Sequence, residues 1–311
     1  MNKPNLAEPD GRIEAITSYI AEFAVSTPPD SIPESARHVM RLSLLDWVAV
    51  GLAGREEPVS RIVREMVASE GGAAQAGVFS LEVKLPARAA ALANGTISHA
   101  LDYDDTHFLH VGHPSVAVLP AALAIAEKIG ASEAAFLDAA LIGAECSCRI
   151  GAWLGRQHYQ TGFHQTATAG CFGAAMAAAR LLGLNAERAS YALGLAATRA
   201  SGLKSQFGTM GKPYNAGMAA ANGVEVALLA ASGFESRADG LECAQGFGET
   251  HAGENVPADE VLSGIGVSYV FEEVQHKFHA CCHGLHAALE ALLELKSGHA
   301  PKAEDITSIK L

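Results

Sequence analysis

The chain has 311 residues, 49% of them hydrophobic and 18% charged, and carries a formal net charge of −12 at pH 7. That balance argues against nucleic acid or an anionic membrane surface as partner, and no apolar stretch is long enough to span a bilayer. The six cysteines show neither disulfide-scaffold nor zinc-ribbon spacing and the N-terminus has no signal-peptide core, so a reduced, cytoplasmic protein of one large or two smaller domains is expected.

Apolar residues at helical spacing (Ile13, Ile16, Ile20, Phe23) predict a helix over Arg12 to Val25. Pro33 opens a second, with Asp30 or Ser31 as candidate N-cap, and Gly51 and Gly54 end it. A third runs from Glu57 to Ala68, and Gly71–Gly72 breaks it. Ala76 to Leu81 is a β-prone piece, and Pro86 begins the next helix, ARAAALANGTISHALDY. Then come SVAVLPAALAIAEKIG, SEAAFLDAALIGAECSCRIG, FHQTATAGCFGAAMAAARLLGL, AERASYALGLAATRASGL and KPYNAGMAAANGVEVALLAASGF, most ending near a glycine. Their Ala, Gly and Ser positions allow close backbone approach, so a tightly packed multi-helix body is expected. Residues 240–266 read as a polar, Gly-rich loop with short helices, and the terminal KAEDITSIKL reads as the entry to a β-strand that suggests a truncated chain.

The densest chemistry lies in 94–120, NGTISHALDYDDTHFLHVGHPSVAVLP, where Asp102, Asp104, Asp105 and Thr106 stand among His99, His107, His110 and His113. Such groups beside an apolar core must be hydrogen-bonded, paired or used for chemistry. Three readings compete: a magnesium or carbocation-forming acid site, helix-end carboxylates that cap neighbouring helices, and an active-site wall. An aromatic content of 6% disfavours the carbocation reading. On a helix Asp102 and Asp105 would share a face and Asp104 would point elsewhere. In GHPS, His113 precedes a helix N-terminus, and the amides of Gly112 or Ser115 are candidate anion donors.

His164 sits in a second Gly-flanked loop that opens a helix, where a capping or packing role is an equal alternative. Lys204 and Lys212, in SGLKSQFGTMGKPYNAG, are compact cations suited to carboxylates; for Lys204 a solvated surface position is as good a reading. The segment HKFHACCHGLHAALE places His279 and His283 four apart, a zinc-like spacing. No third ligand follows at a known spacing, so a loop leading into a helix near Gly284 or Leu285 is preferred.

In order, NGTISHALDYDDTH with GHPS, GFHQTATAG, GLKSQFGTMGKPYNAG and KFHACCHGLHAALEA resemble the successive motifs of the MmgE/PrpD family. The resemblance implies a mostly α fold: a large all-helical domain over 1–270, with 271–311 as the truncated beginning of a smaller α/β lid domain. It also implies a homodimer and cofactor-free, metal-independent chemistry on a small di- or tricarboxylic acid. The expected activity is that of a 2-methylcitrate dehydratase-like hydro-lyase, with a same-family epimerase or cis-aconitate-type decarboxylase as the alternative. An inactive helical dimerising fragment is the alternative of another class. Carried over by motif, the implied catalytic residues are His113, His164, Asp102 and Thr106. Lys212 and Lys277 are the implied carboxylate ligands, joined by Ser115 and Lys204 as further candidates. The resemblance places a decarboxylase histidine near Cys282, with His279 and His283 beside it.

Overall fold

A computed structural model describes residues 15–252, 256–299, 302–308 and 310. Among them lie helices α1 (Ile16–Ser26), α2 (Glu34–Gly54), α3 (Pro58–Glu70), α4 (Ala87–Ser98), α5 (Ser115–Ile129) and α6 (Glu133–Thr161). They are followed by α7 (Gln165–Leu181), α8 (Ala186–Ala196), α9 (Gly211–Ala231), α10 (Phe247–His251), α11 (Ala258–Leu262) and α12 (His286–His299). A two-stranded antiparallel hairpin, β1 (Ala76–Val78) and β2 (Leu81–Leu85), is the sheet structure of the described residues. The mostly α expectation therefore holds. No helix among the described residues is long and apolar enough to cross a membrane.

Local chemistry accounts for most boundaries. Pro33 and Pro86 precede α2 and α4 with extended backbone, and Pro58 opens α3, because a fixed φ and a missing N–H cost nothing at a helix start. Ser132 and Asn185 accept from the amides three residues on and so cap α6 and α8. Four expectations need correction. Neither Asp30 nor Ser31 caps α2; both lie in a separate 3-10 turn, Pro29–Ser31. The single β-prone piece is a hairpin, turned at Ser80 with φ of 57°. The helix after Pro86 ends at Ser98 and does not include Asp102 to Asp105. At the far end, residues 303–305 form a 3-10 turn and 306–308 form no strand, while Ile309 and Leu311 lie outside the described residues, as do residues 12–14 of the first predicted helix.

Helix α7 is the hub, packed on α6, α9 and α5, while α4 crosses α9 and α5. Small residues bring these backbones together: a Cβ on Gly217 of α9 would meet Leu92 O of α4 at 2.3 Å, and one on Gly173 of α7 would meet Gly143 O of α6 at 2.5 Å. No side chain larger than hydrogen fits at either crossing. The crossings matter because α4, α5, α7 and α9 each bring one end to the same place. The C-terminal end of α4 and the N-terminal ends of the other three meet there.

Candidate active site

Two short backbone pairings deliver distant segments to that place. Thr106 and Gln275 exchange N–H···O bonds of 2.9 and 2.7 Å, which draws Lys277 and His283 over the 102–113 stretch. Phe163 pairs with Leu203, and His164 N donates to Gly202 O at 2.9 Å, which draws the 202–212 loop against the start of α7. Six of the expected residues then converge. Asp102 Oδ2 forms an ion pair with Lys212 Nζ at 2.8 Å, and its Oδ1 stands 3.3 Å from both Lys277 Nζ and His113 Nε2. Lys277 Nζ also donates to the Asp102 carbonyl. His164 stands at the residue before α7 with no capping hydrogen bond from its side chain, accepts at Nδ1 from Asn215 Nδ2 at 3.4 Å and lies edge-on to Phe207, 5.1 Å between ring centroids. Thr106 Oγ1 bonds His283 Nδ1 beside them.

Asp102 has a left-handed backbone, φ of 56°, and Val111 one of 54°. For a β-branched residue that costs about 1–3 kcal/mol. The strain is held by the bridges that close the stretch, His107 to Gly112 and Thr106 to Gln275. The turn at Asp102 also overturns the helical pairing of Asp102 with Asp105. Asp102 and Asp104 both face His113, and Asp105 points the other way, to Ser115.

Two expected ligands stay out of the cluster. Ser115 donates its hydroxyl (2.5 Å) and its amide (3.4 Å) to Asp105, and the His113 amide donates to Thr166 Oγ1, so the GHPS amides are spent within the fold. Lys204 donates to Tyr159 O at 3.0 Å and lies 3.7 Å from the centroid of the Tyr159 ring. Sequence reasoning in turn left out His99 and Asp104 as site residues, and also Asn215. Asn215 lies three residues after Lys212 and so shares its helical face, a signal that was legible.

Burial opposes charge throughout. It lowers His99, and it takes His164 well below the ordinary imidazole range, with His99, His113 and Lys212 adding to the effect. Burial alone would raise both Asp102 and Asp104, but His113 and His99 outweigh it, holding Asp102 at about 2 and Asp104 well below the usual carboxylate range. Two ammonium groups, Lys212 and Lys277, thus stand at the Asp102 carboxylate. His99, Asp102, Asp104 and His113 offer ligand atoms within 4.8 Å of one another. The oxygens of Asp102 face two lysines, and both oxygens of Asp104 accept from His99.

Behind the wall, Asp46 of α2 accepts from the Asp105 amide at 3.0 Å. Burial, then the charges of Asp105 and Asp104, push its carboxyl up to about 7. An unfolded aspartate titrates near ~4. Between those values the folded state binds the extra proton, so stability falls as pH rises through this window and the penalty is complete above it. Asp46→Asn keeps an acceptor for the amide and removes the penalty. The variant is expected to melt higher than its parent at about pH 8 and equally at about pH 4, and equal melting at both would refute the assignment.

A family model for the MmgE/PrpD N-terminal domain matches residues 18–259. Among curated relatives, the cis-aconitate decarboxylase-like protein oryM of Aspergillus oryzae is 30% identical over 94% of this chain and 63% of its own length. The cis-aconitate decarboxylase of Aspergillus terreus is 31% identical over 90% of this chain and 60% of its own. The cis-aconitate decarboxylase of Homo sapiens is 31% identical over 67% and 44%. The chain thus spans 63% or less of the length of these relatives.

Proposed function

The chain belongs to the MmgE/PrpD family, and from that premise we propose that it carries the helical wall of a lyase acting on a small tricarboxylic acid without a cofactor. The observation that carries this reading is the convergence of Lys212, Lys277 and His113 on Asp102, with Asp104 behind them against His113 and His99. An incoming carboxylate exchanges with Asp102 at the ammonium groups, and the imidazoles stand beside the carbon next to it. The electron pair released at that carbon, whether by CO2 or by a proton, passes into the neighbouring carboxylate as an enediolate. Fixed cations stabilise the developing charge. His113 and His164 divide the proton transfers, Asp102 orients His113, and Thr106 with His283 closes the near side. His283 stands in for the decarboxylase histidine that falls near Cys282.

The names of the matching relatives favour decarboxylation of cis-aconitate or a close analogue over the 2-methylcitrate dehydratase expectation, because the shared proton step alone does not separate the two. The homodimer belongs to the same proposal. The test is a panel of cis-aconitate, citrate and 2-methylcitrate, with release of CO2 and loss of water read separately and in the presence of a chelator. CO2 from cis-aconitate with chelator present is the expected result. Activity that disappears with chelator, or no turnover of any acid, would overturn the proposal.

A further inference from the structure

His99 is 1% exposed at the end of α4, and it lies outside every motif position transferred above. Its Nδ1 stands 2.9 and 3.0 Å from the two oxygens of Asp104, itself 1% exposed. An ionised carboxylate only accepts, so His99 carries its hydrogen on Nδ1 and donates to both oxygens. The same carboxylate presents Oδ2 to His113 Nδ1 at 3.0 Å, outside hydrogen-bond alignment, and the rings of His99 and His113 meet edge-on at 4.7 Å. His113 therefore has one side backed by a buried carboxylate that His99 holds in place. Its other side, Nε2, faces the partly open Asp102, where a substrate would arrive.

We propose that His99 is a positioning residue that acts through Asp104 to hold His113 for proton transfer. The inference rests on the proton-transfer reading of the site. It follows the logic in which a base is oriented by a third group, here extended by one member. A packing role alone would not require Nδ1 to reach both oxygens of a buried carboxylate. Without the His99 donor, Asp104 turns onto His113, strengthens its hold on a proton and shifts its orientation.

The other titratable groups facing His113 are Asp102 from its own stretch, His110, His164 at the start of α7, and His283 from the returning segment. Lys212 and Lys277 reach it through Asp102. A change at His99 reaches Asp104 through the shared hydrogen bonds, Asp102 through its charge, and His113 and His164 through the ring contacts.

Three variants separate the possibilities. His99→Phe removes the donor, His99→Asn places an amide N–H near Nδ1, and His99→Gln places one near Nε2. The titration and tautomer of His113 are read by nitrogen-15 NMR in the unliganded protein, alongside kcat and KM. With His99→Phe, or His99→Gln where Phe does not fold, His113 is expected to titrate at higher pH. The acidic limb of the kcat profile moves with it, and kcat falls at least ~10-fold with KM held within about twofold. His99→Asn restores both. An unchanged His113 titration in every variant overturns the proposal, as does rescue by Gln but not Asn, which would assign the work to Nε2. If no acid is turned over by the parent protein, the function reading fails, while the NMR comparison still decides this one.

Discussion

Alanine in place of His113 or His164 is expected to lower turnover at least ~100-fold, the ordinary contribution of a positioned acid or base. Both imidazoles are nearly buried, at 9% and 2% exposure. His164 stands at the positive end of α7 beside Asn215, an arrangement that favours the neutral, proton-accepting ring. His113 lies two residues before α5 between two aspartates, an arrangement suited to stabilising the cation it forms on taking a proton. The losses should appear in kcat with smaller changes in KM, because the lysines proposed to bind the substrate remain. Steady-state kinetics on both variants check this, and a near-normal rate in either would remove that residue from the mechanism.

The second large effect concerns stability. Arg149 donates to Glu145 at 2.6 Å with side chains 2% and 0% exposed, and to the carbonyls of Val261, Ser263 and Ser268. Glu145 in turn accepts from the amides of Val270 and Phe271. This pair pins the 261–271 segment onto α6, and four residues later that segment pairs with Thr106 and delivers Lys277. Arg149→Met leaves three carbonyls unpaired and Glu145 buried without a counter-charge. The expected cost is about 3–5 kcal/mol. Burial already raises the Glu145 carboxyl, with Arg149 opposing that rise, so part of the loss is taken as proton uptake by Glu145. Urea unfolding checks it as a lower midpoint at unchanged slope. The exposed pair Arg237–Asp239 serves as control, and Arg237→Ala is expected to leave the midpoint where it was. A midpoint equally unmoved by Arg149→Met would contradict the account.

The helical body was legible because its signals are local: prolines at helix starts, glycines at ends, and apolar runs between. The site was legible in part. Asp102, Thr106, His113, His164, Lys212 and Lys277 come together as the motifs implied, across as many as 175 residues. What misled were inferences that needed the path of the backbone. The pairing of Asp102 with Asp105 assumed a helix that stops at Ser98, and a left-handed Asp102 reversed it. Ser115 suits an anion, but the one it holds is Asp105, while the amides of Gly112 and His113 go to His107 O and Thr166 Oγ1, partners that only the fold brings to them. Lys204 and Lys212 look alike in a glycine-rich loop. A pairing at Phe163 and Leu203 turns the first onto Tyr159 and leaves the second for Asp102. His99 and Asp104 were in view within the same stretch, yet a spacing of five residues matches neither a helical face nor a strand, so nothing local marked them as partners.

The central claim is that this cluster moves protons at carbon next to a carboxylate, and isotope exchange tests it most directly. The protein is incubated with cis-aconitate and its relatives in D2O with a chelator present, and the carbon-bound deuterium of recovered acid and product is read by mass spectrometry. The account predicts deuterium on a carbon next to a carboxylate, lost in His113→Ala. No deuterium in any acid, or incorporation that requires an added metal, would contradict it.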